Sequence, residues 1–279
     1  MTTTDLAGVR RRSRRRLWAH GPLALIAVCT LVPFLIMVLT SFRYGQAVTF
    51  PASLLPTHMN LGAYRKVLAD GDLPRWFLNT VIYSVVAVVL VLLFASVAAY
   101  AFAKKRFPGQ KIMFWSFIAM LMVPYQLTLI PQFILVSRLG LTDTMTGLIV
   151  PTLANAQALF LMRQFIVGIP DELLEAGRID GAGELTVFFR IVLPQCRPIL
   201  ATLAVFVFMW HWNDFLWPLV NTRSPSNYVL TLGLYSLQAQ APELPVMMAA
   251  AVLTFIPILV IYIALQRHFI AGVTMSGLK

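Results

Sequence analysis

Charged residues leave long gaps in this chain. Residues 17–42, 76–103, 112–137 and 144–162 carry no Asp, Glu, Lys or Arg, and neither do 198–213 and 244–266. A helix needs about 20 predominantly apolar residues to cross the hydrocarbon core of a bilayer. The gaps therefore predict six helices, near 18–40, 77–102, 112–136, 145–167, 199–219 and 247–266. Two more charge-free stretches, 44–64 and 224–242, hold Pro51, Pro56, Asn60 and Gly62, or Pro225, Asn227, Gln238, Gln240 and Pro242. Such residues punctuate loops in water. The expected fold is all-α, a polytopic membrane protein with six transmembrane helices. Pro33, Pro124, Pro131, Pro151, Pro218 and Pro257 fall within or beside the spans. Each removes a backbone donor, and in lipid the freed carbonyl must find a partner in protein or water. Packing kinks and a packed bundle around a pathway both fit this pattern.

Composition supports the membrane reading. Hydrophobic residues make up 59% of the 279 and charged residues 12%, about half the usual charged share of a soluble domain. Mean hydropathy is +0.78. The net charge of +11 does not point to nucleic acid, because the cations alternate with apolar runs. Their distribution fits the positive-inside rule. Sixteen of the 22 Lys and Arg fall in residues 1–16, 104–111, 163–197 and 267–279, and the other six fall in the alternate connections. Both termini are expected in the cytoplasm of a prokaryote, with the chain passing its plasma membrane several times. The apolar run after Arg10–Arg12 and Arg14–Arg16 is too long for a signal peptide and reads as an uncleaved first span. The expected organisation is a basic cytoplasmic tail (1–16), a six-helix transmembrane domain (17–268) and a cytoplasmic tail (269–279). The domain includes a cytoplasmic loop at 168–198 and an extracytoplasmic loop at 220–246. Cys29 and Cys196 lie far apart and read as two unpaired thiols.

The cytoplasmic loop carries the most pointed motif, DELLEAGRIDGAGELTVFFRIVLP over residues 171–194. Asp171 is placed to cap a helix after Pro170, and Glu172 and Glu175 fall where the helix dipole favours acids. Leu173, Leu174 and Ile179 supply apolar positions. Gly181 and Gly183 break the helix. A second short helix follows with Leu185, Val187, Phe188, Phe189 and Ile191, and Pro194 is expected to stop it. Two amphipathic helices in water need a cover. Amphipathicity alone leaves open whether that cover is the protein's own bundle or a partner.

The motif resembles the EAA loop of ABC importer permeases, E-A-A-x-x-x-G followed by I-x-L-P. The matching residues are Glu175, Ala176, Gly181, Ile191, Leu193 and Pro194. Gly177 stands where the pattern has a second Ala; the missing side chain is expected to let a partner approach closely. Further stretches resemble carbohydrate-type permeases of the maltose and glycerol-3-phosphate kind: MVPYQLTLIPQF (122–133), LGLTDTMTGLIVP (139–151), FLMRQFIVGIPDELLEAGRIDGAG (160–183), WHWNDFLWPL (210–219) and QRHFIAGVTMSGLK (266–279). The resemblance implies the type I ABC permease fold with its cytoplasmic EAA helix-turn-helix. It also implies a second permease subunit, an ATPase homodimer that binds ATP and magnesium, and an extracytoplasmic solute-binding protein. ATPase coupling would fall to Glu172, Leu174, Glu175, Ala176, Gly177, Asp180, Gly181 and Ala182. The outer loop 220–246 would either probe the binding protein's cleft or merely connect spans. The tail from Phe269 would either reach the ATPase dimer or remain disordered.

Polar residues inside spans are expensive, so they mark a candidate substrate pathway. Asp214 sits in His211-Trp212-Asn213-Asp214, close to Trp210 and Trp217. Those groups suit sugar stacking and hydrogen bonding, and equally an interfacial aromatic belt with a helix-end acid. Asn79, Gln126 and Asn155 complete the pathway candidates with Trp212, Asn213 and Asp214; an interhelical hydrogen bond is the alternative for each. The chain lacks G-x-x-x-x-G-K-[ST], H-E-x-x-H and G-x-S-x-G. No cofactor, metal site or catalytic residue is expected in it. A stand-alone secondary transporter or channel is the alternative function. It is disfavoured because no internal repeat is visible and Asp214 is the only intramembrane acid.

Overall fold

The computed structural model describes residues 3–46, 58–69, 72–240 and 243–275. Among them every named element is helical, and Arg43 and Asn60 form an isolated bridge. The helices are α1 (Thr3–Ser41), α2 (Gly62–Ala69), α3 (Leu73–Lys104), α4 (Gln110–Met120), α5 (Tyr125–Arg138), α6 (Met145–Ile149) and α7 (Ala156–Val167). They continue with α8 (Asp171–Ile179), α9 (Glu184–Thr186), α10 (Leu193–Gln195), α11 (Arg197–Trp212), α12 (Leu216–Asn221), α13 (Leu230–Ala239) and α14 (Leu244–Met275).

Two compact units emerge. One comprises Met1–Asp70 and Leu237–Leu253, the other Gly71–Ser236 and Thr254–Lys279. In the first, the end of α1 is tied to α2. The Ser41 and Tyr64 hydroxyls share a hydrogen bond of 2.6 Å, and the Phe42 and Tyr64 rings lie 5.3 Å apart. Helix α1 begins well before the apolar run, so the basic stretch is helical and continuous with the candidate span that starts at His20.

In the second unit, α3 packs against α7 and α11. Ala87, Val91, Ala95 and Ala99 recur every fourth residue on α3, and all are buried. Small side chains on one stripe let backbones approach closely, which is how helices associate where no hydrophobic drive separates them from lipid. They meet Ala158, Leu159, Met162 and Ile166 of α7, and Leu203 and Val207 of α11. Other positions of α3, among them Val85, Val89 and Leu93, are apolar and exposed. In a membrane that surface has a solvent.

Three helices, over His20–Ser41, Leu73–Lys104 and Leu244–Ile261, are long and apolar enough to span. The count reaches six when three bent pairs are taken as one span each. Three of the six expected spans are thus continuous helices, and the other three regions hold bent pairs. The helix expected over 112–136 is α4 plus α5, bent by 108°. Pro124 lacks a donor and disfavours helix in Val123 before it. The helix expected over 145–167 bends by 45° between the turn Val150–Thr152 and α7. Pro151 opens the break, and Asn155 restarts the helix by accepting the Ala158 N–H at 2.8 Å. The helix expected over 199–219 ends at Trp212. Asn213 donates its side-chain amide to Met209 O at 2.7 Å, and α12 starts afresh after Asp214. Helix α11 instead pairs with Glu184–Gln195 across a 77° bend at Cys196. Pro33, Pro131 and Pro257 ride inside helices.

Residues 220–246 are largely folded rather than an open loop. They hold the end of α12, a turn at Pro225–Asn227, helix α13 and the start of α14. Asp143 secures this segment from the α5–α6 connection. Its carboxylate accepts the backbone N–H groups of Arg223 (3.0 Å) and Ser224 (3.1 Å) and the Ser224 hydroxyl (2.5 Å). Its carbonyl accepts from Asn227 at 2.6 Å, and its own N–H donates to Asn221 O at 2.9 Å. Asp143 holds φ at +59°, a strained value for a residue with a Cβ. Desolvation raises the carboxyl pKa, but the Ser224 and backbone hydrogen bonds outweigh it and hold the group at about 2.

A carboxylate depressed on folding contributes stability above its unfolded pKa and loses it as pH falls through the folded one. Asp143→Ala is therefore expected to lower the melting temperature of the purified protein equally at pH ~5 and pH ~7.5, because both lie above the unfolded pKa. Thermal melts in detergent check this; a loss confined to one of the two values would count against the tie.

Candidate functional site

The candidate element is built from residues 169–196. Pro170, not Asp171, stands at the N-cap of α8. Asp171 is instead in the first turn with Glu172, where the acid still complements the dipole. Helix α8 closes in a Schellman motif. Ala182 N–H donates to Gly177 O (2.9 Å) and Gly181 N–H to Arg178 O (3.0 Å), with Gly181 at φ +81°. The second helix runs as α9, a π-helical turn Val187–Val192 and α10. Pro194 does not end it. The wider π turn relieves the clash a proline ring makes with the turn before it, and the bend comes later, at Cys196.

Each helix has two faces. Leu174 and Gly177 of α8 and Val187, Phe188 and Val192 beyond the turn are buried. They join one cluster with Ala99, Tyr100 and Phe102 of α3 and Ile166 of α7. The bundle is thus one cover. The opposite face stays open, with Leu173, Ile179, Leu185 and Phe189 exposed at 44, 85, 75 and 48% beside the exposed acids Glu172, Glu175 and Asp180. An apolar patch rimmed by acids is the signature of a docking surface.

Of the expected coupling residues, Glu172, Glu175, Ala176, Asp180 and Gly181 lie on the open face. Ala182 is half-buried, and Leu174 and Gly177 face inward. The room made by Gly177 is therefore not for a partner. A Cβ there would meet Ile191 Cδ1 at 2.4 Å, so the glycine lets α8 lie close to the second helix. Ile179, Leu185 and Phe189 were legible only as apolar positions; that they point outward depends on which side of each helix the bundle takes.

Sequence reasoning missed a cluster at the end of α3. Lys104, 7% exposed, donates to Asp171 Oδ1 (2.6 Å) and to Ile169 O (2.5 Å). The Tyr100 hydroxyl donates to Glu184 Oε2 at 2.9 Å. Glu184 Oε1 pairs with Lys105 and with Arg178 Nε at 3.3 Å. The Lys104 ammonium lowers the Asp171 carboxyl pKa. Nearby, the last carbonyls of α3 find side-chain donors: Phe102 O accepts from Gln110 (2.9 Å) and Arg163 (3.3 Å).

Most of the pathway candidates have partners within the unit. Asn79 donates to Ser226 O and Tyr228 O, both at 2.9 Å. Asn155 caps α7, and Trp212 is buried between Phe208 (5.3 Å) and Phe77 (5.9 Å). Asp214, 8% exposed, accepts from the Tyr83 hydroxyl at 2.9 Å, and its carbonyl accepts from Thr231 at 2.5 Å. Four of the six candidates thus act as ties within the unit; Asn213 and Gln126 are exposed.

Up to six apolar spans, some broken, with a short helix pair that is packed on one face and open on the other, mark a polytopic membrane protein. Residues 91–275 match the family model described as binding-protein-dependent transport system inner membrane component. The chain belongs to that family, the permease components of ABC importers. It is 37% identical over 261 residues to the arabinooligosaccharides transport system permease protein AraQ of Halalkalibacterium halodurans, covering 92% of this chain and 94% of that one. It is 35% identical over 280 residues to the diacetylchitobiose uptake system permease protein NgcG of Streptomyces coelicolor, covering 98% and 92%. A chain from the crystal structure of a bacterial ABC transporter involved in the import of the acidic polysaccharide alginate superposes with a TM-score of 0.80. Identity is 26%, with coverage of 92% of this chain and 98% of that one.

The inward Gly177 yields a test. Ile191 Cδ1 is the free end of a flexible side chain, so Gly177→Ala is expected to change stability by less than ~1 kcal/mol, helix propensity offsetting the crowding. Gly177→Phe should instead separate the two helices, exposing Leu174 and Phe188 to protease. Limited proteolysis and thermal melts of the two variants distinguish these outcomes.

Proposed function

We propose that this chain is one of two permease subunits of an ATP-driven importer for a sugar or sugar-like solute. The open face of α8 and its neighbour carries the reading: acids around Leu173, Ile179, Leu185 and Phe189, on a rigid support. In this proposal that face lies in the cytoplasm, as do both termini, in keeping with the distribution of Lys and Arg. It seats in an ATPase homodimer, which binds ATP and magnesium and performs the hydrolysis, so the chain itself is not an enzyme. A solute-binding protein delivers cargo on the other side, a reading supported by the family's description as binding-protein-dependent.

The sugar class is supported by the relatives, which are described as permeases for arabinooligosaccharides and for diacetylchitobiose. Both cargoes are short oligomers of sugar units. The chain's own contribution is coupling. Closure of the ATPases moves the α8 element, and the spans packed on it rock between inward and outward access. Glu175 is proposed as a contact to the ATPase because it is exposed on α8 between the buried Leu174 and Gly177.

Glu175→Lys is expected to leave binding-protein docking intact and to abolish the stimulation of ATP hydrolysis by loaded binding protein, together with uptake. Proteoliposomes holding the full complex give both rates. Normal uptake with stimulation intact overturns the coupling role of α8.

A further inference from the structure

We infer that the last turn of α3 and the helix pair at 171–195 move as one body during transport, with Tyr100, Lys104, Lys105 and Glu184 as positioning residues for coupling. The inference rests on the reading of α8 as the ATPase-docking element. Three separate contacts fix the orientation. Lys104 holds the start of α8 through Asp171 and the carbonyl of Ile169. Glu184 opens the second helix and receives Tyr100 and Lys105 from α3. Arg178, in the last turn of α8, reaches the same carboxylate. One contact to α3 would leave a pivot; contacts at the start of α8 and at the start of the second helix, with Arg178 joining the two, do not.

Packing strengthens the hold. The Lys104 side chain is nearly enclosed while its partner Asp171 stays open to solvent, so the pair orients the start of α8 more than it stabilises it. Beneath the polar clasp, Tyr100 packs against Phe188 at 5.4 Å, and Leu174 and Val187 belong to the same apolar cluster as Ala99 and Phe102.

The other end of α3 shows what such a body would carry. There Trp76 donates to Pro225 O (2.9 Å), Asn79 to Ser226 O and Tyr228 O, and Tyr83 to Asp214. Thr80 accepts the Leu230 N–H at 2.8 Å. Between the two sets of ties α3 is a continuous helix of 32 residues whose only proline, Pro74, lies in the first turn. Its neighbour α11 leaves the docking element through a 77° bend. Helix α3 is therefore the straight connection from the docking element to the 214–230 segment. A displacement of α8 reaches that segment without crossing a break.

The test uses the complete complex, with both permeases, ATPases and binding protein, in proteoliposomes. Glu184→Lys places a third cation against Lys105 and Arg178. The complex is expected to assemble and hydrolyse ATP, with solute moved per ATP down about tenfold, the factor set by one charge-assisted hydrogen bond. The charge-inverted triple variant Lys105→Glu, Arg178→Glu, Glu184→Lys restores each pairing with opposite sign. It should recover solute per ATP to within about threefold of the parent, a residual set by imperfect geometry. A general loss of packing would lower assembly and both rates together and would not be reversed by inversion. Normal transport by Glu184→Lys, or an assembled triple variant as poor as the single, overturns the inference. If Glu184→Lys fails to assemble, Tyr100→Phe decides: an unchanged solute-to-ATP ratio overturns the clasp, a lowered one supports it. Should Glu175→Lys also transport normally, it is the docking reading itself that has failed.

Discussion

The constraint that orders this structure is the need to satisfy the polar ends of α3 while its middle stays apolar. A helix in lipid can leave no backbone group without a partner, and its last carbonyls have none within the helix. At its C-terminal end Gln110 and Arg163 supply donors to Phe102 O. Lysines placed there interact well with the negative end of the dipole, and two of them also grip the helix pair at 171–195. The same residues that finish the span thus orient the helix pair.

The central stripe of Ala87, Val91, Ala95 and Ala99 is the apolar half of that arrangement. It brings α7 and α11 close enough for the cluster at Leu174, Val187 and Phe188 to continue the core beyond the spans. The helix pair is held by packing on one face and left bare on the other.

Asn79 and Asn155, both half-buried, and the buried Asp214 each have a partner in the backbone or in a neighbouring side chain. The low dielectric around a span makes an unpaired group costly, so polar residues gather where helices begin, end or turn. Asp143 does the same for the connection beside it, holding a strained φ in exchange for backbone donors of the 221–227 segment. Polar character within a span is therefore a poor guide to a pathway unless the side chain is also free.

Hydrophobic spacing alone determined that the chain is helical, how many apolar segments it has and that a polar, amphipathic pair separates two of them. These depend on nearest neighbours in sequence, on length and on the 3.6-residue period. Pro124 and Pro151 mark real breaks, yet Pro33, Pro131 and Pro257 do not, because whether a proline kinks a helix depends on what its neighbours do with the freed carbonyl. The Glu-Ala-Gly stretch marked the helix pair, but only tertiary packing decided that Gly177 looks inward at Ile191 and Ile179 outward. Nor does spacing bring Tyr100, Lys104 and Lys105 to Asp171 and Glu184, more than sixty residues away. Such pairings exist only once two helix surfaces have chosen each other, and that choice is made by the shape of the whole core rather than by any segment of it.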